Sequence, residues 1–141
     1  MQIFNIPENH VKNFMNVLLK SEIFDTFEAR RVEIHNVASF VIESETKNLW
    51  ATLRPFALHI VKDGGKPTLL KVVLSHTAPE TLHPNAAALF LNLAYDNGAI
   101  TCTSATSQKE FALNKDLDHF WDDWVTDFFH KRGVIITCVQ A

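Results

Sequence analysis

Leu117-Asp118-His119-Phe120-Trp121-Asp122-Asp123-Trp124-Val125-Thr126-Asp127-Phe128-Phe129 is the stretch on which the fold turns. Its apolar members, Leu117, Phe120, Trp121, Trp124, Val125, Phe128 and Phe129, recur at three- and four-residue spacing, the period of one helical face. They cover an arc of about 180°, wider than the stripe of about 100° that a minimal core contact needs. Such an arc predicts contact with two surfaces, such as the sheet and a second protomer. Aspartates crowd the start of the segment, and His130, Lys131 and Arg132 crowd its end, an order that complements the helix dipole. Asn114 or Asp116 is placed to cap it, and Gly133 to stop it. Val134 to Val139 then reads as a closing strand.

Working back from this helix, Asp96-Asn97-Gly98 has the composition of a tight hairpin turn. It predicts Leu89–Tyr95 and Ile100–Thr106 as paired strands, with Tyr95 opposite Ile100, Leu93 opposite Cys102 and Leu91 opposite Ser104. The alanines before Leu89 would also suit a helix; the turn that follows tips Ala86–Tyr95 to strand. Glu110–Leu113 is expected as another short strand. Phe56–Val61 and Leu69–Ser75 flank Asp63-Gly64-Gly65-Lys66-Pro67, and their period-two apolar pattern predicts a second hairpin. Glu28–Ile34 and Ser39–Glu43 form a third, with Ile34 opposite Phe40 and Val32 opposite Ile42. The polar run Glu43–Asn48 is expected to separate it from the next. Near the N-terminus, Val11, Phe14, Met15, Leu18 and Leu19 make the stripe of an amphipathic helix, with Pro7 in its first turn. The expected fold is α+β: an antiparallel meander sheet with an N-terminal and a C-terminal amphipathic helix packed on one face, in a single domain over 1–141.

A chain of 141 residues buries roughly two thirds of its surface on folding, enough for one core. Apolar residues at 47% and charged residues at 21% describe an ordered globular domain. Net charge is −3 and no basic stripe extends beyond Arg30-Arg31, which argues against a nucleic-acid partner. No apolar run is long enough to cross a bilayer, and Met1–Pro7 is not a secretory signal, so no membrane role and a cytoplasmic location are expected. Cys102 and Cys138 form no disulfide framework or metal motif, and both are expected to fill core positions.

No catalytic signature and no cofactor motif stands in the chain, so whether it is an enzyme stays open. His119, Asp123, Asp127 and His130 share the polar face of the C-terminal helix at a spacing that can ligate a metal. One helix supplies too few converging ligands, so that face is read as solvated and no metal is assigned. Trp50, Arg54 and His76 form a candidate ligand-binding set at one sheet end, where an arginine and a histidine could hold an anion and Trp50 could stack on Arg54. Trp121, Trp124 and Phe129 are candidates for an interaction surface.

Phe24-Asp25-Thr26-Phe27, Trp50-Ala51-Thr52-Leu53-Arg54-Pro55, Asn97-Gly98-Ala99-Ile100-Thr101-Cys102-Thr103 and Trp121-Asp122-Asp123-Trp124 occur in this order in a family of small bacterial proteins, mainly from Firmicutes, which the chain resembles. That family is a domain family of unknown function. The resemblance implies a bacterial single-domain protein and transfers no substrate, cofactor or catalytic residue. The expectation from sequence is therefore a non-catalytic binding or protein-interaction module, with a homo-oligomer or another protein as partner. The alternative is a small-ligand-binding protein or enzyme with its pocket between the sheet and the C-terminal helix.

Overall fold

A computed structural model describes residues 1–139, and at 44–47 the backbone only. Its strands are β1 (Ile3–Asn5), β2 (Glu28–His35), β3 (Ser39–Leu49), β4 (Leu69–Ser75), β5 (Ala86–Asp96), β6 (Ala99–Gln108) and β7 (Thr137–Val139). The helices are α1 (Val11–Lys20), α2 (Trp50–Gly64) and α3 (Asp116–Lys131). The strands form one sheet in the order β3-β2-β4-β5-β6-β1-β7, with every pair antiparallel. Thus the α+β class, the antiparallel sheet and the two terminal helices agree with the expectation, and α2 is an addition to it.

Turn chemistry fixes the β5–β6 hairpin. Asn97 (φ 48°) and Gly98 (φ 91°) both sit in the left-handed region that such a turn requires. The register that follows pairs Tyr95 with Ile100, Leu93 with Cys102 and Leu91 with Ser104. The β2–β3 hairpin likewise pairs Ile34 with Phe40 and Val32 with Ile42. β3 does not stop before the polar run: it continues to Leu49, which pairs with Glu28 beyond a bulge. Polar residues suit this strand because it is an edge of the sheet.

Phe56–Val61 is not a strand. It lies in α2, and β4 pairs instead with β2 and β5. Pro55 falls in the second turn, so only an early backbone bond of the helix is lost. Glu110–Leu113 is not a strand either; Gln108 and Asn85 hold this loop through bonds with Ala112 and Glu110. The closing strand is confined to Thr137–Val139, and Cys138 on it is exposed rather than core.

Alternation along the strands puts Val32, Ile34, Leu70, Val72, Leu74, Leu91, Leu93, Cys102 and Phe4 in one buried layer. Leu117, Trp121, Val125, Phe128 and Phe129 of α3 pack into it, together with Phe14, Leu18 and Leu19 of α1 and Trp50 and Ala57 of α2. The wide apolar arc of α3 does meet two surfaces, and both belong to the same chain. The sheet is one. The other is a cluster formed by Phe14 and the post-α1 loop, where Phe24 lies 5.7 Å from Phe128 and Phe27 lies 5.5 Å from it, centroid to centroid. Asn114 accepts a bond from the Asp116 N–H at the start of α3, and Gly133 (φ 71°) reverses the chain at its end.

Candidate functional site

A cleft of about 720 Å³ lies between α1 and α2, open to solvent. The sequence places its expected pocket elsewhere, between the sheet and the C-terminal helix; one wall of this cleft is part of the apolar stripe of α1. Val11, Met15 and Leu19 stand four residues apart on α1, so they form one straight ridge. Phe14 and Leu18 turn into the core, Leu19 is buried where the ridge joins the core, and Val11 and Met15 are half-buried. The opposite wall is Leu58 and Val61 of α2, and Pro67, Tyr95 and Gly98 also line the cleft. Four lysines edge this apolar trough, Lys12 and Lys20 from α1, Lys62 from α2 and Lys66 from the loop after it, against the single carboxylate of Glu8. All four lysines are exposed. A chain of net charge −3 therefore carries a locally basic rim around an apolar floor.

Polar contacts from Trp50 and Arg54 tie α2 to α1 and the loop after it, and one from Asn36 ties α2 to the β2–β3 turn. Trp50 is fully buried and its Nε1 donates to the Leu18 carbonyl at 3.0 Å. Arg54 donates Nε and Nη2 to the two oxygens of Asp25, at 2.8 and 2.9 Å, and Nη1 to the Lys20 carbonyl at 3.5 Å. The bonds to Asp25 raise the guanidinium pKa and keep it charged. At the other end of α2, Asn36 donates Nδ2 to the Ile60 carbonyl at 3.0 Å.

Trp50 and Arg54, expected from sequence to face a ligand, thus face α1 and the loop after it. His76 belongs to a different neighbourhood. Its ring stands edge-on to Trp124 at 5.7 Å, to Trp121 at 6.4 Å and to Phe27 at 6.3 Å. Burial lowers its pKa, and its Nδ1 accepts the Ala78 N–H, which leaves the proton of the neutral ring on Nε2. His76 also borders a polar recess of about 160 Å³ with Glu28, Arg30, Thr77 and Glu80. There Arg30 donates Nε to Ser75 Oγ at 2.9 Å and lies 3.6 Å from the buried Glu28.

Of the three residues expected on an interaction surface, Trp121 and Phe129 are fully buried and Trp121 donates Nε1 to the Phe90 carbonyl. They are core residues, because the loop carrying Phe24 and Phe27 covers the arc that a second protomer was expected to cover. Trp124 alone is half-exposed, stacked between Trp121 at 4.9 Å and Phe128 at 5.4 Å. His119, Asp123, Asp127 and His130 are all exposed on α3, and the described residues include no group of three or more such side chains close enough to hold a metal ion.

Elsewhere on α3, Ser104 donates to Asp122 and Thr106 to Asp118, so the hydroxyl-rich β6 anchors the acidic start of the helix. No described helix is long and apolar enough to cross a membrane.

Residues 43–136 match the sequence model of a protein family with the description Family of unknown function (DUF5721), a span that includes α2, β4 to β6 and α3. No curated protein and no solved structure matches the chain.

Proposed function

The chain belongs to the DUF5721 family of unknown function, and we propose that it is a non-catalytic binding module whose recognition site is the cleft between α1 and α2. One observation carries this: the cleft combines a floor of Val11, Met15, Leu19, Leu58 and Val61 with a rim of four lysines. Its volume lies in the range of about 300–1,000 Å³ typical of ligand sites. The apolar floor supplies the driving force, and the lysines select negative charge. Met15 adds a flexible, polarisable contact that adapts to the shape of a guest.

Anilinonaphthalene sulfonate, an apolar anion, is the probe. It is expected to bind with a gain in fluorescence that Met15→Glu abolishes and that Lys12→Glu with Lys62→Glu weakens. Dye fluorescence unchanged by all three substitutions would remove the site.

A second reading places a small polar ligand in the recess beside His76, where Glu28 and Arg30 offer opposite charges. The recess has room for a few heavy atoms, so a zwitterion such as a free amino acid is the matching probe. Movement of the His76 imidazole resonances on titration would favour this reading, and their constancy would remove it.

A further inference from the structure

We propose that the guest of the α1–α2 cleft is an acidic amphipathic helix of a partner protein, a proposal that rests on the cleft being the binding site. The cleft lies between two helices and is open to solvent. An alkyl chain laid in it would keep one side wet, whereas a helix with one apolar face would bury that face and leave the other in solvent. The α1 wall carries two parallel rows of period four: Val11, Met15 and Leu19, and beside them Lys12, Asn16 and Lys20. A helix alongside α1 meets the first row with apolar residues at i, i+3, i+4 and i+7, and the second with acids on its flank. Lys62 and Lys66 set the same requirement on the opposite flank. The ridge from Val11 to Leu19 rises about 12 Å at 1.5 Å per residue, so two to three turns of guest fill it.

None of the three described α-helices of a second copy fits as donor of that helix. α3 is its acidic helix, with Asp116, Asp118, Asp122, Asp123 and Asp127, but the apolar face of α3 is already buried against the sheet and the Phe24–Phe27 loop. The α1 helix bears lysines, and α2 forms the wall itself. The proposed guest is therefore a partner's helix rather than α1, α2 or α3 of a second copy, and its recognition is sensitive to salt because the lysines are exposed.

A designed peptide of about fourteen residues, with leucines at i, i+3, i+4 and i+7 and glutamates elsewhere, tests this by titration calorimetry and circular dichroism. The expected result is saturable binding to the full chain, with helicity gained in the peptide. Lys12→Glu with Lys62→Glu is expected to weaken it by about tenfold or more. These substitutions fall on exposed positions, so the fold persists and an unchanged thermal transition verifies it. Equal binding of a scrambled peptide, or of a version with lysine in place of glutamate, overturns the proposal. So does occupation of the cleft by a long-chain carboxylate that the peptide cannot displace. Dye binding in the cleft without any peptide binding overturns the helix guest and leaves the cleft as a site, so the two failures are distinguishable.

Discussion

Arg54 and Asp25 meet through two parallel bonds, Nε to Oδ1 at 2.8 Å and Nη2 to Oδ2 at 2.9 Å, with both side chains more than four-fifths buried. This fork fixes where α2 lies against the end of α1. Arg54→Ala is expected to lower unfolding stability by about 1–3 kcal/mol, measured by urea denaturation, because Asp25 loses its partner in a poorly hydrated position. The same variant should weaken anionic dye binding, since the two walls of the cleft lose their fixed spacing. A double-mutant cycle with Asp25→Ala should show positive coupling; additive effects would show that the pair contributes no mutual stabilisation.

Gly64 stands against Asn36 so closely that a Cβ would lie 2.3 Å from its Nδ2. An alanine there forces the Asn36 amide away from the Ile60 carbonyl. Gly64→Ala is therefore expected to destabilise the protein by about 1 kcal/mol, although alanine favours a helix over glycine by a similar amount. In an Asn36→Ala background the clash is gone, and the same change should be neutral or stabilising. Thermal melts of the native chain, the two single variants and the double variant check this reversal of sign.

Cys102 is fully buried, and burial pushes its thiol up to about 12. At pH 8 its thiolate is scarce and shielded, whereas Cys138 is exposed. Iodoacetamide should label Cys138 alone in the native protein and both cysteines in denaturant, as read by mass spectrometry. Native labelling of Cys102 at a comparable rate would contradict its place in the sheet core.

His76 is held below the ordinary histidine range by burial among Phe27, Trp121 and Trp124. The unfolded chain therefore takes up this proton at higher pH than the folded one. Stability from this site is full above the unfolded value of about 6.5 and falls as pH drops from there towards the folded value. Glu28 and Glu80 face the ring and temper the effect without reversing it. Urea midpoints followed from pH 7.5 down to about 5 should decline less steeply in His76→Gln than in the native chain. Parallel slopes would show that another group governs this range.

Several elements are legible in the sequence because their cause is local. Asn97-Gly98 dictates its own backbone angles, and the β5–β6 register follows from them. The apolar rows of α1 and α3 repeat at the helical period within one short segment. α2 is obscured for the same kind of reason. Phe56, Leu58 and Ile60 alternate like a strand, and Pro55 looks like a break. Yet Phe56 is 62% exposed, and the buried residues are Trp50 and Ala57, seven apart and on one helical face. Nothing in Phe56–Val61 itself records that the edges of β4 are already taken by β2 and β5.

The sequence by itself determined the α+β class, the two terminal helices, the hairpin registers at Ile34–Phe40 and Tyr95–Ile100, and the polar and apolar rows of α1. Only the tertiary structure decided that α2 is a helix, that Trp50 and Arg54 brace α1, that Trp121 and Phe129 are interior, and that Lys12, Lys20, Lys62 and Lys66 ring one apolar trough. The first set depends on periodicity and turn geometry, which a residue shares with its near neighbours in the chain. The second depends on which distant segment reaches a surface first, and that competition is settled only when the whole core packs.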